Sequence, residues 1–259
     1  HKLDEVMKIS DEVTVIRDGQ FIECRKTSGY SKNEIVKAMV GRELGSFYPE
    51  KNNKIGEVIF EVKNYNVFDN IGKQRVKNAN FTLKKGEILG ISGLIGSGRT
   101  ELISSIFGTY EGSKTGECIF NGKKINIKSA KEALKTGISM VPEDRKQDGI
   151  IADMSVEKNM TLSNLDSYTK AADYVDTYRE KTDVRRYIDL LKIKTTSEDL
   201  AIKNLSGGNQ QKVVLAKNLL VNPKIIILDE PTRGVDVGAK YEIYKNIVEL
   251  AERGISVIM

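Results

Sequence analysis

The chain has 259 residues, 39% of them hydrophobic and 30% charged, with a net charge of +5, a composition typical of globular domains and sufficient for one large or two modest ones. No apolar run approaches the roughly 18 residues needed to cross a bilayer, so any membrane role is expected to be peripheral, and the scattered lysines read as solvated surface with no nucleic-acid footprint. The one histidine is His1, and Cys24 and Cys118 stand far apart, which removes Ser/His/Asp and Cys/His triads and leaves catalysis to carboxylates, backbone and metal-bound phosphate.

Two isolated cysteines suit a reducing compartment, and no signal-peptide pattern precedes the first predicted strand. From Val13 to Glu23 two short apolar segments flank Asp18-Gly19, a hairpin signal. Ser31 with Glu34 predicts a capping box for a helix whose apolar face is Ile35, Val36, Met39 and Val40, and Gly41 stops it. Residues 1–41 are too few to bury a core alone and read as the end of another unit. Periodicity disappears over 42–56, around Pro49 and a polar run, which predicts a linker. Glu57 to Val62 and Ala79 to Leu83 then alternate as strands do. Tyr65 and Phe68 lie between them, and Tyr65 is the candidate to stack on an adenine, with ordinary sheet packing as the alternative.

The stretch Glu87 to Phe107 reads as strand, phosphate loop and helix. Its loop is Gly93, Leu94, Ile95, Gly96, Ser97, Gly98, Arg99 and Thr100. The glycines allow successive N–H groups to surround an anion at a helix N-terminus, and Thr100 offers a hydroxyl to Mg²⁺. The pattern G-x-x-x-x-G-K-[ST] is met at every fixed place but one, since Arg99 stands where lysine is expected. Glu117 to Phe120 with Asn121-Gly122 predicts a strand and turn, Ala130 to Leu134 a helix, and Gly137 to Val141 a strand ending at Pro142-Glu143. From Asp144 to Leu205 apolar residues recur near helical spacing, which predicts an inserted helical subdomain. Ser206, Gly207 and Gly208 open the next helix, and their free N–H donors could meet a phosphate. Ile225 to Leu228 form a strand buried on both faces that delivers Asp229 and Glu230 at its C-terminal end.

Ser206-Gly207-Gly208 resembles the signature loop of ATP-binding-cassette ATPases, and Ile225 to Glu230 resembles their Walker B strand. The resemblance narrows to the sugar-import ATPases of the ribose, xylose and galactose type, which carry two cassettes per chain. It rests on Gly93 to Thr100, Val141 to Lys146, Leu205 to Lys212 and Pro231 to Gly238, all similar to that family's second cassette. His1 to Glu5 resembles the switch-histidine loop of the first, and the chain stops at Met259, before the second cassette's own such loop.

The resemblance implies an α/β fold: a P-loop NTPase core with an inserted helical subdomain at 144–212 and a small antiparallel β subdomain. It implies a fragment, with 1–41 the tail of a preceding cassette and 57–259 a second cassette short of its C-terminal end. ATP and Mg²⁺ are the implied cofactors. Asp229, Thr100 and Glu143 would hold the metal, Glu230 would act as general base, and Gln210 and Asp236 would join the signature loop at nucleotide. Position 143 is glutamate where an active cassette has glutamine, which with Arg99 puts hydrolysis at this site in question. The implied partners are membrane permease subunits, the first cassette and, indirectly, an extracytoplasmic sugar-binding protein, at the cytoplasmic side of the membrane, with Asp148 to Asn159 facing the permease. Non-transport cassettes of regulatory or repair type use the same motifs, whereas the signature loop argues against a phosphate-loop kinase.

Overall fold

The computed structural model describes residues 3–17, 19–41, 48–169 and 174–259. His1 and Lys2 of the switch-like stretch, Asp18 of the predicted turn and residues 42–47 of the predicted linker lie outside the described residues, as does the Val40 side chain.

Helix α1 (Leu3–Ile9), strands β1 (Glu12–Arg17) and β2 (Gln20–Lys26), and helix α2 (Lys32–Val40) come first. Ser31 and Glu34 close a reciprocal capping box, and Gly41 ends α2 at φ +79°, so the helix starts and stops at its sequence signals. Val13, Val15, Tyr30, Ile35 and Ala38 form a small buried cluster there.

An antiparallel sheet of order β4-β3-β6-β7 comprises β3 (Val58–Asp69), β4 (Gln74–Lys84), β6 (Gly112–Phe120) and β7 (Lys123–Ile125). β3 and β4 are about twice as long as their alternation predicts, because the pattern is broken by bulges. The register slips between Val62 and Tyr65, where Asn64 takes φ +50°, and Asn78 in β4 takes φ +48°. An inserted residue reverses side-chain parity, so Phe60 and Val62 face the core before the bulge and Tyr65 and Val67 after it.

A parallel sheet of order β5-β10-β9-β8 comprises β5 (Ile88–Leu89), β8 (Ile138–Val141), β9 (Ile225–Leu228) and β10 (Ser256–Ile258). All four residues of β9 are buried, as the unbroken apolar run requires of a strand covered on both faces. One cover is helix α3 (Arg99–Phe107), whose Leu102, Ile103 and Ile106 lie between this sheet and the antiparallel one. Helix α4 (Ala130–Thr136) adds Ala133 to that cluster. The other cover is α7 (Gly207–Leu219), buried on nearly every side, and α8 (Val237–Glu252). Between β8 and α7 the described residues form a π-helical turn at Arg145–Gly149, α5 (Val156–Thr161), α6 (Thr177–Leu190) and short 3₁₀ turns, with no strand of either sheet.

Candidate functional site

The C-terminal ends of β5, β8 and β9 converge, and the phosphate loop, Glu143 and the pair Asp229-Glu230 leave from those ends, the edge at which open α/β sheets bind ligands. Gly98 is the N-cap of α3 at φ +91° with no side chain capping it, so the helix presents free N–H donors and the positive end of its dipole. A Cβ on Gly98 would lie 2.5 Å from the Arg75 carbonyl oxygen, and one on Gly93 would lie 2.4 Å from Ser97 Oγ. The backbone contact leaves no room for a side chain at Gly98, whereas one at Gly93 would require Ser97 to shift. Gly96 supplies the loop's other left-handed residue at φ +80°. Leu94 and Ile95 point outward, Ile95 fully exposed, so they offer the cradle backbone only.

Asp229 is 7% exposed and its Oδ2 has no hydrogen-bond partner. Burial pushes its carboxyl above the ordinary value; the Thr100 hydroxyl bond opposes the shift and the carboxylates of Glu143 and Glu230 reinforce it. Glu230 sits at φ +43°, a left-handed conformation that costs a side-chain-bearing residue free energy and recurs at functional sites. Its Oε1 accepts from Arg99 Nη2 at 3.3 Å. Glu143 is ion-paired with Arg233. A cleft of about 470 Å³ is bordered by Arg99, Asp229, Glu230 and Tyr244, and a second of about 870 Å³ by Thr100, Glu143, Asp229 and Arg233. Asp229 therefore stands where two clefts meet.

Ser206 caps α7, its Oγ accepting from Asn209 N at 3.5 Å and also from Asn209 Nδ2 at 3.0 Å. Gly208 is buried against α8, where a Cβ would lie 2.6 Å from Ala239 Cβ. Asp236 caps α8 through a 2.8 Å bond from Ala239 N, beside that same glycine.

Two readings are corrected. Tyr65 is 3% exposed inside the core between the sheets, so it has no face for an adenine; the bulge at Asn64 turned it inward. The hairpin end that carries Phe68, paired with Gln74, is the part that reaches Gly98 through Arg75 and Val76. Gln210 is buried, and its amide donates to the carbonyls of Ile202 and Leu205 at 3.3 and 3.2 Å, so it shapes its own loop. Within Asp148 to Asn159, Val156, Glu157 and Asn159 are buried, and only residues 148, 151–154 and 158 offer an exposed face. Conversely, Arg145 and Arg233 stand inside quoted motifs without being singled out. No spacing rule marks them, because each acts on a segment far away in sequence.

A family model described as ABC transporter matches residues 76–233. The chain is 49% identical to the Xylose import ATP-binding protein XylG of Photobacterium profundum and 51% identical to that of Brucella abortus, in each case over 100% of this chain and 51% of the relative. It thus spans about half the length of the curated relatives it matches. Among solved structures, cbiO1 from Clostridium perfringens, described as part of the ABC transporter complex cbiONQ, superposes with a TM-score of 0.63 at 27% identity, covering 78% of this chain and 77% of that one.

Proposed function

The chain belongs to the ABC transporter family, and from that premise we propose that it is an ATP-binding and ATP-hydrolysing cassette of a monosaccharide importer, working beside a membrane permease and a second cassette. The observation that carries the reading is the convergence of an uncapped helix N-terminus, the Thr100 hydroxyl and the buried Asp229 at the end of a parallel sheet. These residues fit a magnesium nucleotide. Gly96 and Gly98 take the left-handed backbone that turns N–H groups inward, and Asp229 Oδ2 is a buried acceptor with no partner. Among the described residues no group of three or more His, Cys, Asp or Glu could hold a metal, so Thr100 and Asp229 would share Mg²⁺ with phosphate and water. Glu143 would join them only by releasing Arg233. Bound Mg²⁺ neutralises charge on the transferring phosphoryl group.

Glu230 is placed to orient and deprotonate water as general base, and Arg99, which now pairs with it, is within reach of the same cradle. Ser206, Gly207 and Gly208 lie on a different face and would serve nucleotide held by the opposing cassette. The relatives named for xylose import make a pentose the first sugar to test. The residues exposed at 148 and 151–154 are the face proposed for the permease.

The test has two arms. The chain should bind ATP saturably only with Mg²⁺, with little turnover alone, and lose binding in Thr100→Val; no saturable binding refutes the ATP reading. The longer natural protein carrying this chain should restore pentose uptake to cells deleted for it, and uptake indifferent to the deletion would favour a non-transport cassette.

A further inference from the structure

Arg145 meets two segments that lie about 60 and about 90 residues further along the chain. Its Nη1 donates to the Arg233 carbonyl at 2.9 Å, its Nη2 to the Gly234 carbonyl at 3.4 Å, and its Nε reaches Gln210 Oε1 at 3.5 Å. The guanidinium also fills the space a side chain at Gly207 would need, since a Cβ there would lie 2.7 Å from Nη2. One planar fork with several fixed donors can hold two carbonyls and an amide at set angles, which a single ammonium cannot. The residue is itself anchored. It opens the π-helical turn Arg145–Gly149, whose start is fixed by Asp144 accepting from Lys146 N at 2.8 Å and Gln147 N at 3.3 Å. π-turns are rare and recur at functional positions.

The other end of this connection is the Thr100–Asp229 site. Glu143 lines the same cleft as Thr100 and Asp229, and it is ion-paired with Arg233, the residue whose carbonyl Arg145 holds. A cation arriving at Asp229 attracts Glu143 and competes with Arg233 for it. Any shift of Arg233 then moves the carbonyls on which Arg145 is seated, and Arg145 touches the loop Leu205–Gln210.

We propose that Arg145 is the positioning residue that transmits occupancy of the Thr100–Asp229 site to the loop Ser206-Gly207-Gly208, through the Glu143–Arg233 pair. The inference rests on the magnesium-nucleotide reading of that site. It concerns this chain's own signature-like loop, which does not touch the nucleotide bound at this chain's phosphate loop.

Amide hydrogen exchange of the 259-residue chain, with and without saturating Mg-ATP, tests it. In the wild type, Mg-ATP should slow exchange at 205–210 by ~5-fold or more, a local change in opening equilibrium. Arg145→Met should abolish that slowing while its Mg-ATP affinity stays within ~3-fold of wild type and residues 213–219 of α7 keep their protection. Arg145→Lys should recover part of the slowing, since an ammonium can still reach one of the two carbonyls. Wild-type slowing retained in Arg145→Met overturns the proposal, as does no recovery in Arg145→Lys. Loss of α7 protection in both variants before nucleotide is added also overturns it, by making Arg145 a structural brace only. Mg-ATP binding without any slowing in the wild type refutes this inference alone, whereas absence of Mg-ATP binding refutes the functional reading beneath it.

Discussion

Replacing Asp229 with asparagine should raise the stability of the ligand-free chain and remove its response to Mg-ATP. The carboxylate is 7% exposed, its Oδ2 lacks a partner, and Glu143 and Glu230 add negative potential around it. Burial is the largest cause of its raised pKa. The folded state therefore holds the proton more tightly than the unfolded state does, so this group's contribution to stability falls as pH rises from the ordinary value of 3.8 through the raised one. The penalty grows as the carboxyl loses its proton. A buried polar group without its partner costs about 1–3 kcal/mol. Asparagine keeps the shape and the oxygen that accepts from Thr100, but leaves an amide unpaired, so the net gain should be about 1–2 kcal/mol.

At 2–4 °C per kcal/mol for a chain of this size, the melting temperature should rise by about 2–8 °C at pH 7. The gap should shrink as pH is lowered into the titration range of Asp229, because protonation of the wild-type carboxyl achieves the same relief. Mg-ATP at a hundred times its dissociation constant should add about 2.7 kcal/mol to the wild type and nothing comparable to the variant. Thermal unfolding followed by circular dichroism across pH, with and without Mg-ATP, measures both effects. A lower melting temperature for Asp229→Asn at pH 7, or a gap that widens on acidification, would refute the reasoning.

Three further outcomes are expected. Lys158→Glu should act on folding, because Lys158 Nζ bonds both oxygens of the fully buried Glu180 and lies beside the buried Glu157; a third carboxylate there should cost about 2 kcal/mol, and unchanged denaturant midpoints would count against it. Arg99→Lys should leave the melting temperature within about 2 °C, since an exposed pair with Glu230 is worth at most about 1 kcal/mol, yet it should tighten Mg-ATP binding by putting a compact ammonium at the cradle; weaker binding by calorimetry would show that the guanidinium is the better phosphate donor. Where the chain works beside a second cassette and a permease as proposed, Gly207→Asp should abolish sugar-stimulated ATPase, both by repelling phosphate and by pairing with Arg145, while Glu230→Gln should leave a substantial share; the reverse ranking would mean that this phosphate loop carries the main turnover.

Most elements of the fold were legible because their signals are local. The capping box at Ser31 and Glu34, the apolar run Ile225 to Leu228 and the glycines of the phosphate loop each state a requirement that neighbouring residues alone determine. The β3–β4 hairpin was half legible. Its alternation survives at the end away from the turn and fails at the bulges by Asn64 and Asn78, since a period-2 pattern carries no memory across an inserted residue. The same slip decided the fate of Tyr65, a residue whose type suited a ligand and whose parity suited the core. Glu157 misled in the opposite direction, because a charged residue beside Lys158 reads as surface, whereas here it is 3% exposed with its carboxyl raised by burial.

The site was legible as a set of residues but not as a set of pairs. Sequence places Arg99, Glu143, Asp229 and Glu230 at strand ends, and from residue types alone the arginine is free to meet phosphate and the glutamates to meet metal. In the folded chain Arg99 is spent on Glu230 and Arg233 on Glu143, while Asp229 sits in a buried position with neither arginine as its ion-pair partner. The cup between the clefts therefore presents carboxylates whose nearest cations are already engaged. Bare ATP would bring more negative charge into it and find Arg99 only by displacing Glu230. Magnesium reverses that balance, since a divalent cation at Asp229 offsets the local charge and gives Glu143 a stronger partner than an exposed arginine. On the magnesium-nucleotide reading proposed above, nucleotide should therefore enter this cup only together with the ion.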